Sequence, residues 1–470
     1  MNRASNTALD EASWLRMEQA PGETLRAALE RALREAIREG SLREGVRLPS
    51  SRRLAAQAGV SRGVASDVYA QLEAQGFVAM RPRRAPVVAR GMASPRAAPA
   101  PRADTPGRPA VRFDCTPTTP DVTLFPTRPW LAAVQHAART MPVRALDYGD
   151  ARGEGALRET LADHLGRTRG VIADPEQIVV VQGTAQGVDL VLRALRARGA
   201  RRIAVEDPSL ERQHERITAL GLELAGRPLD AEGLVVDGLD ADAVLVTPAH
   251  QYPTGVVLGG ARRRALLAWA RERDGLVLED DYDAEFRYDR EPVRALQGLD
   301  PERVIYLGTA SKTLAPALRL GWLVVPRALA DDAARVKLLL DVCSPALDQL
   351  ALARLIATGE HDRHVRRVRA VYRARRDRLS AALAAHLPGL AVEGVTAGLH
   401  ALLRLPPGSD DRAVAAAARR AGLVLESLSP MALSHPRPAG LVLGYGRVHE
   451  SAIEPAVAAL AGVLRGMPTP

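Results

Sequence analysis

From about residue 111 onward the chain alternates short apolar runs with helix-length segments, and this alternation limits its fold more than any other feature. "QIVVVQG" (177–183), "RIAVEDPS" (202–209), "AVLVTPAH" (243–250), "GLVLEDDY" (275–282), "RVIYLGTAS" (303–311) and "LRLGWLVVP" (318–326) read as strands. Segments such as "AQGVDLVLRALRARG" (185–199) and "ARRRALLAWARERD" (261–274) carry apolar residues at helical spacing between them. Near-continuous apolar strands joined by amphipathic helices predict an α/β fold, with a mainly parallel sheet covered on both faces. Ligand sites in such folds form beyond the carboxyl ends of the strands. After about residue 345 longer helices and fewer strands predict a smaller α+β subdomain, over 345–470.

The first ninety residues follow a different pattern. "ETLRAALERALREAIREG" (23–40), "LPSSRRLAAQAG" (48–59) and "VSRGVASDVYAQLEAQG" (60–76) predict three short helices, with Ser50 or Ser51 and then Ser61 as N-caps and Gly40, Gly59 and Gly76 as stops. "FVAMRPRRAPVVAR" (77–90) predicts two short strands around a basic turn. Over residues 15–90 this is the order of a winged helix-turn-helix, whose third helix enters the major groove of double-stranded DNA. Arg62 then reaches a base edge or a phosphate, Arg52 lies on the preceding helix, Ser61 can meet a phosphate, and Arg81, Arg83 and Arg84 lie on the wing. Charge placement agrees: of a net +9, residues 1–110 hold 18 Arg against 11 acids, which leaves the remaining 360 residues close to balanced. A three-helix interaction module with solvated arginines is the alternative. Residues 91–110, rich in Pro, Ala and Arg without periodicity, read as a linker.

The chain is 47% hydrophobic and 25% charged, a globular balance that permits large cores. Its two cysteines, Cys115 and Cys343, form neither a disulfide framework nor a metal-ligand cluster and suit a reducing cytoplasm. No apolar run spans a membrane, and the N-terminus lacks a signal-peptide core.

Of 64 basic residues only two, Lys312 and Lys337, are lysine. Arginine replaces lysine for charge but stays protonated, whereas a neutral amine condenses with an aldehyde to a Schiff base. Lys312 follows the strand "RVIYLGTAS", where a ligand is expected; Lys337 sits on a helix with no special feature. Thr309, Ser311 and Arg319 around Lys312 suit a phosphate. The loop "GTAQG" (183–187) presents the N–H groups near Thr184 and Ala185 at a helix N-terminus. In "LEDDYD" (278–283), Asp280 and Tyr282 share one face. An Asp can keep a pyridine nitrogen protonated and a Tyr can donate to a phenolate, the two further groups that pyridoxal 5'-phosphate presents. Asp281 is the second choice for the acid. A metal is not expected, because no Cys/His set accompanies these acids.

These stretches carry a resemblance. Residues 20–90 resemble the winged-helix domain of GntR-type regulators through "LREAIREGSLREGVRLPSSRRLAAQAGVSRG". Residues 111–470 resemble a fold-type I, aminotransferase-like PLP-dependent transferase through "YGDARG", "EDPS", "TPAHQYPTG", "EDDYDAEFRY" and "GTASKTLAPALRLGW". The fusion is similar to the MocR subgroup of bacterial transcription regulators. The resemblance implies that Lys312 bonds the cofactor aldehyde, Asp280 meets the ring nitrogen and Tyr282 the ring hydroxyl. Thr184, Ala185, Thr309, Ser311 and Arg319 then hold the phosphate, and Tyr148 reaches the phosphate site of a partner subunit in a head-to-tail homodimer. Arg212, and more weakly Arg447, would take an effector carboxylate. Leu210 stands where the family places an aromatic that stacks on the ring, and Tyr252 where aminotransferases carry Asn. The implied function is a cytoplasmic regulator that senses pyridoxal phosphate or an amine or amino acid reacting with it. The alternative is a working aminotransferase with a vestigial head.

Overall fold

Three capped helices and a short hairpin build the N-terminal part of the chain. The computed structural model describes residues 18–81, 84–91, 110–288, 293–434 and 437–467, and the chain divides into two units, residues 1–108 and 109–470. In the first unit the helices are Leu25–Arg38, Ser51–Ala58 and Arg62–Ala74. The Ser50 and Ser61 hydroxyls accept the N–H groups of Arg53 and Val64, each at 3.3 Å. Ser50, not Ser51, is therefore the cap, and Gly59 in the left-handed region at φ 66° ends the helix. Leu29, Leu33, Ile37, Leu54, Val68 and Leu72 are fully buried between the helices, each such side chain contributing about 1.5–3 kcal/mol. Strands Val78–Ala79 and Val87–Val88 pair antiparallel, and Arg47 bridges to Val87 at their edge.

The second unit is organised by an eight-stranded sheet. Strands Val304–Thr309, Leu276–Asp280, Ala243–Val246, Arg202–Asp207 and Glu223–Asp230 run parallel in that spatial order. Gly321–Val324 is antiparallel to both Val304–Thr309 and Ile178–Val181, and Gly233–Leu234 ends the far edge antiparallel. Ile178–Val181 and Ala243–Val246 are buried at every position, which is why they read as apolar runs rather than alternations.

The smaller subdomain differs from the continuous run 345–470 that the pattern predicts. Its core unites Phe113 and Cys115 with Leu399, Leu403, Leu441 and Tyr445, and the early strand Phe113–Asp114 pairs with Leu423–Val424. The helix Ala346–Ala357 instead buries Ala351, Leu352 and Leu355 in the core around Trp130, Leu161 and Trp322 of the larger part. Pairing across some 310 residues leaves no trace in local periodicity.

Candidate functional site

The strand ends converge on one pocket, lined by Thr184, Leu210, Tyr252, Asp280, Tyr282 and Lys312. Lys312 stands in the turn after Val304–Thr309. Burial lowers its pKa, and the carboxylates of Asp283 and then Asp280 pull it back up. A desolvated amine lies nearer the neutral form that attacks a carbonyl. Asp280 ends its strand with Oδ1 buried and without a hydrogen-bond partner. Burial pushes its pKa up to about 7, against the opposing pull of Lys312. Tyr282 donates its hydroxyl to the His250 carbonyl at 3.0 Å. Tyr252, with its ring edge-on to Tyr282, donates to Glu426 Oε2 at 2.9 Å.

On one side of the pocket lies the start of the helix Thr184–Ala197, which no side chain caps, so the amides of Thr184 and Ala185 have no acceptor within the helix. Gly183, at φ 83°, lies against Arg319: a Cβ there would stand 2.8 Å from Arg319 Nη2. The same nitrogen donates to the Gln182 carbonyl at 2.5 Å. Ser311 is buried beside Thr309, whose hydroxyl points inward, 3.2 Å from the Leu320 carbonyl and 3.0 Å from Ser311 Oγ. Thr309 thus shapes the turn that presents Lys312.

An outer chamber shares Thr118, Leu210, Tyr252 and Lys312 with the inner pocket and adds Arg212, Glu426 and Arg447. Arg447 pairs with Asp114 at 2.9 Å; Arg212 has no hydrogen bond or ion pair among the described residues. Tyr148 is not brought to this pocket. It is 83% exposed and lines a separate cavity with Gln182, Ser344 and Leu347. In the N-terminal unit Arg52, Arg62, Arg81 and Arg84 are exposed, with Arg62 opening the third helix. Ser61 uses its hydroxyl as the cap of that helix. Arg83 lies outside the described residues.

Comparison with known proteins gives the family. The aminotransferase class I and II family matches residues 122–442, and the bacterial regulatory proteins of the gntR family match residues 25–88. The pyridoxine biosynthesis transcriptional regulator PdxR of Corynebacterium glutamicum is 34% identical, over 90% of this chain and 92% of its own. The probable rhizopine catabolism regulatory protein MocR of Rhizobium meliloti is 32% identical, over 88% and 89%. The chain belongs to the MocR subgroup of GntR-type transcriptional regulators. Among solved structures, a Pyrococcus horikoshii kynurenine aminotransferase superposes with a TM-score of 0.70 at 27% identity, covering 75% of this chain and 90% of that one.

Several residues of this MocR-type regulator's site escaped sequence reasoning. Glu206, fully buried and raised by that burial to about 7, accepts from Thr247 Oγ1 at 2.7 Å and from Gln251. Its place at the end of "RIAVED" was the available signal. Lys337 does not sit on an ordinary helix face: it is fully buried and donates to Asp341 Oδ1 at 2.5 Å and Ser344 Oγ at 3.0 Å. The other Asp341 oxygen accepts from Gln186 at 2.7 Å and Gln182 at 3.3 Å. The second lysine therefore props the loop that starts the helix Thr184–Ala197. No local pattern marks it.

Proposed function

We propose that this regulator senses pyridoxal 5'-phosphate, or an amine or amino acid that reacts with it, at Lys312. The carrying observation is that one pocket holds a desolvated lysine and a buried carboxylate oxygen with no partner. Such an orphan costs about 1–3 kcal/mol unless a ligand supplies the donor, and a protonated ring nitrogen is one. The uncapped amides of Thr184 and Ala185, with Ser311 and Arg319 nearby, suit a phosphate. Tyr282 would turn its hydroxyl hydrogen from the His250 carbonyl to the ring hydroxyl, and Leu210 would cover the ring by apolar contact alone. When bound, the cofactor supplies an aldehyde that exchanges one amine for another. The protein's part is to keep Lys312 desolvated, which favours its neutral form, to keep Asp280 facing the ring and to exclude water with Tyr252 and Tyr282.

An effector enters through the outer chamber, where Arg212 is the free cation for its carboxylate and Arg447 the compensated one. The dimer is built on apolar side chains left at the surface, Val143 at 85% exposure, Leu146 at 75% and Leu339 at 78%. Leu146 lines the cavity that holds Tyr148, which would lend its hydroxyl to the partner's phosphate site. Arg62, Arg52 and the wing arginines bind DNA. No helix among the described residues is long and apolar enough to cross a membrane.

The test is binding of the full chain to DNA upstream of its own gene, by fluorescence anisotropy, with and without pyridoxal phosphate and a panel of amino acids. A ligand that biases two arrangements of the dimer changes DNA affinity by about 5- to 150-fold, and Lys312→Ala abolishes the change. DNA affinity indifferent to every ligand would refute the proposal. Steady keto-acid production without any DNA footprint would mark an enzyme instead.

A further inference from the structure

Behind the Lys312 pocket, the loop 250–255 of the larger subdomain meets the stretch 394–400 of the smaller one. Two histidines cross this seam. His250 Nε2 lies 3.1 Å from the Gly394 carbonyl, and His400 Nε2 lies 3.2 Å from the Pro253 carbonyl. A carbonyl only accepts, so both Nε2 atoms carry hydrogen.

His250 makes a second contact through its other ring nitrogen. Its Nδ1 lies 3.0 Å from Asp283 Oδ2, and the His250 and Asp283 side chains are 0% and 1% exposed. On its other flank, 3.3 Å away, is the Tyr282 hydroxyl, whose hydrogen is directed to the His250 carbonyl. Nδ1 thus faces two acceptors, and a second proton belongs in the contact with Asp283. With a carbonyl at Nε2 and two acceptors at Nδ1, the ring donates from both nitrogens, as an imidazolium against the Asp283 carboxylate. The same carboxylate acts on Lys312, more strongly than Asp280 does. His400, with ring centre 4.7 Å away, is kept neutral by burial and by the His250 charge, so no second cation competes. Gly398, at φ 73°, lets the pair close: a Cβ there would stand 2.4 Å from Asp283 Oδ2 and 2.2 Å from the His250 ring.

We propose that His250 is a positioning residue, an imidazolium clamped between Gly394 and Asp283 that partly neutralises Asp283 and so sets how readily Lys312 releases its proton. The groups facing the pair include Asp280 at the end of the strand Leu276–Asp280 and Tyr282 just beyond it, Lys312 after Val304–Thr309, His400 on His400–Arg404 and Tyr252 on the seam loop, with Glu285, Tyr288 and Tyr445 also acting on Asp283. The inference rests on Lys312 being the reactive amine of the proposed function, but its test needs no cofactor.

Competitive labelling with a trace amine-selective reagent, followed by mass spectrometry, reads the titration of Lys312 in the cofactor-free full chain. The assay is clean because the other lysine, Lys337, is fully buried. Asp283→Asn removes an anion and lowers the Lys312 midpoint by about one pH unit or more. His250→Gln leaves Asp283 uncompensated and raises the midpoint by a similar amount. A merely structural role would move both variants the same way, and tryptophan fluorescence reports whether each has folded. His250→Asn replaces His250→Gln should the latter unfold. An unchanged midpoint in the folded His250 variant, or shifts of one sign in both, overturns the inference. A wild-type chain that titrates as described yet never takes up pyridoxal phosphate would sink the proposed function alone.

Discussion

Replacing Lys337 by Met keeps the length of the side chain and removes its charge. The ammonium is fully buried, whereas Asp341 is 19% exposed and retains Gln182 and Gln186 as donors. Breaking a buried ion pair from one side costs about 3–5 kcal/mol. The partial hydration of Asp341 places this case at the low end, near 3 kcal/mol, and the Met stem restores most of the packing. Urea denaturation of the full chain followed by tryptophan fluorescence measures the loss, because Trp130, Trp269 and Trp322 are all buried in the second unit. A second effect is expected at the pocket. With Asp341 no longer held, the Gln182 and Gln186 contacts loosen at the start of the helix Thr184–Ala197, and pyridoxal phosphate affinity falls about tenfold, equivalent to about 1.4 kcal/mol. A stability loss below about 1 kcal/mol would reduce the pair to the worth of a surface salt bridge and refute the reasoning. A full loss with unchanged cofactor affinity would refute the link to the loop.

Two further outcomes follow from the geometry. Arg62→Ala, at an exposed position, weakens DNA binding and makes the salt dependence shallower by about one counterion while the pocket keeps its ligand; unchanged binding at physiological salt would displace Arg62 from the interface. Glu206 is protonated in the fold up to about pH 7 but ionised when unfolded above its ordinary value of 4.5. The folded state then binds more protons across that window, so this group's contribution makes stability fall as pH rises from 4.5 to 7. Glu206→Gln removes that slope and stabilises the protein above pH 7 by roughly 3 kcal/mol at most, as measured by urea denaturation at pH 5 and pH 8; parallel losses in variant and wild type would contradict it.

What could be read beforehand was whatever short-range chemistry determines. Ser61 and Gly59 mark helix ends because caps act within four residues, and Lys312 and Asp280 were placed because strand ends in parallel sheets collect ligands. Lys337 was hidden for the opposite reason. Its helix Ala330–Asp341 turns the lysine inward while Leu339 is 78% exposed, an inversion that no hydrophobic pattern within one chain can express and that a partner surface would explain. The His250–Asp283 pair joins residues 33 positions apart, and its closure depends on Gly398 from another subdomain. Phe113–Asp114 belongs to the smaller subdomain through pairing at residues 423–424, some 310 residues away in sequence, and through its core.

The most direct test of the account is borohydride reduction of the purified protein after incubation with pyridoxal phosphate, followed by peptide mapping. A visible absorbance band before reduction is expected, and one stable adduct, on Lys312, that Lys312→Ala abolishes. A colourless protein whose digest carries no adduct at position 312 would contradict it.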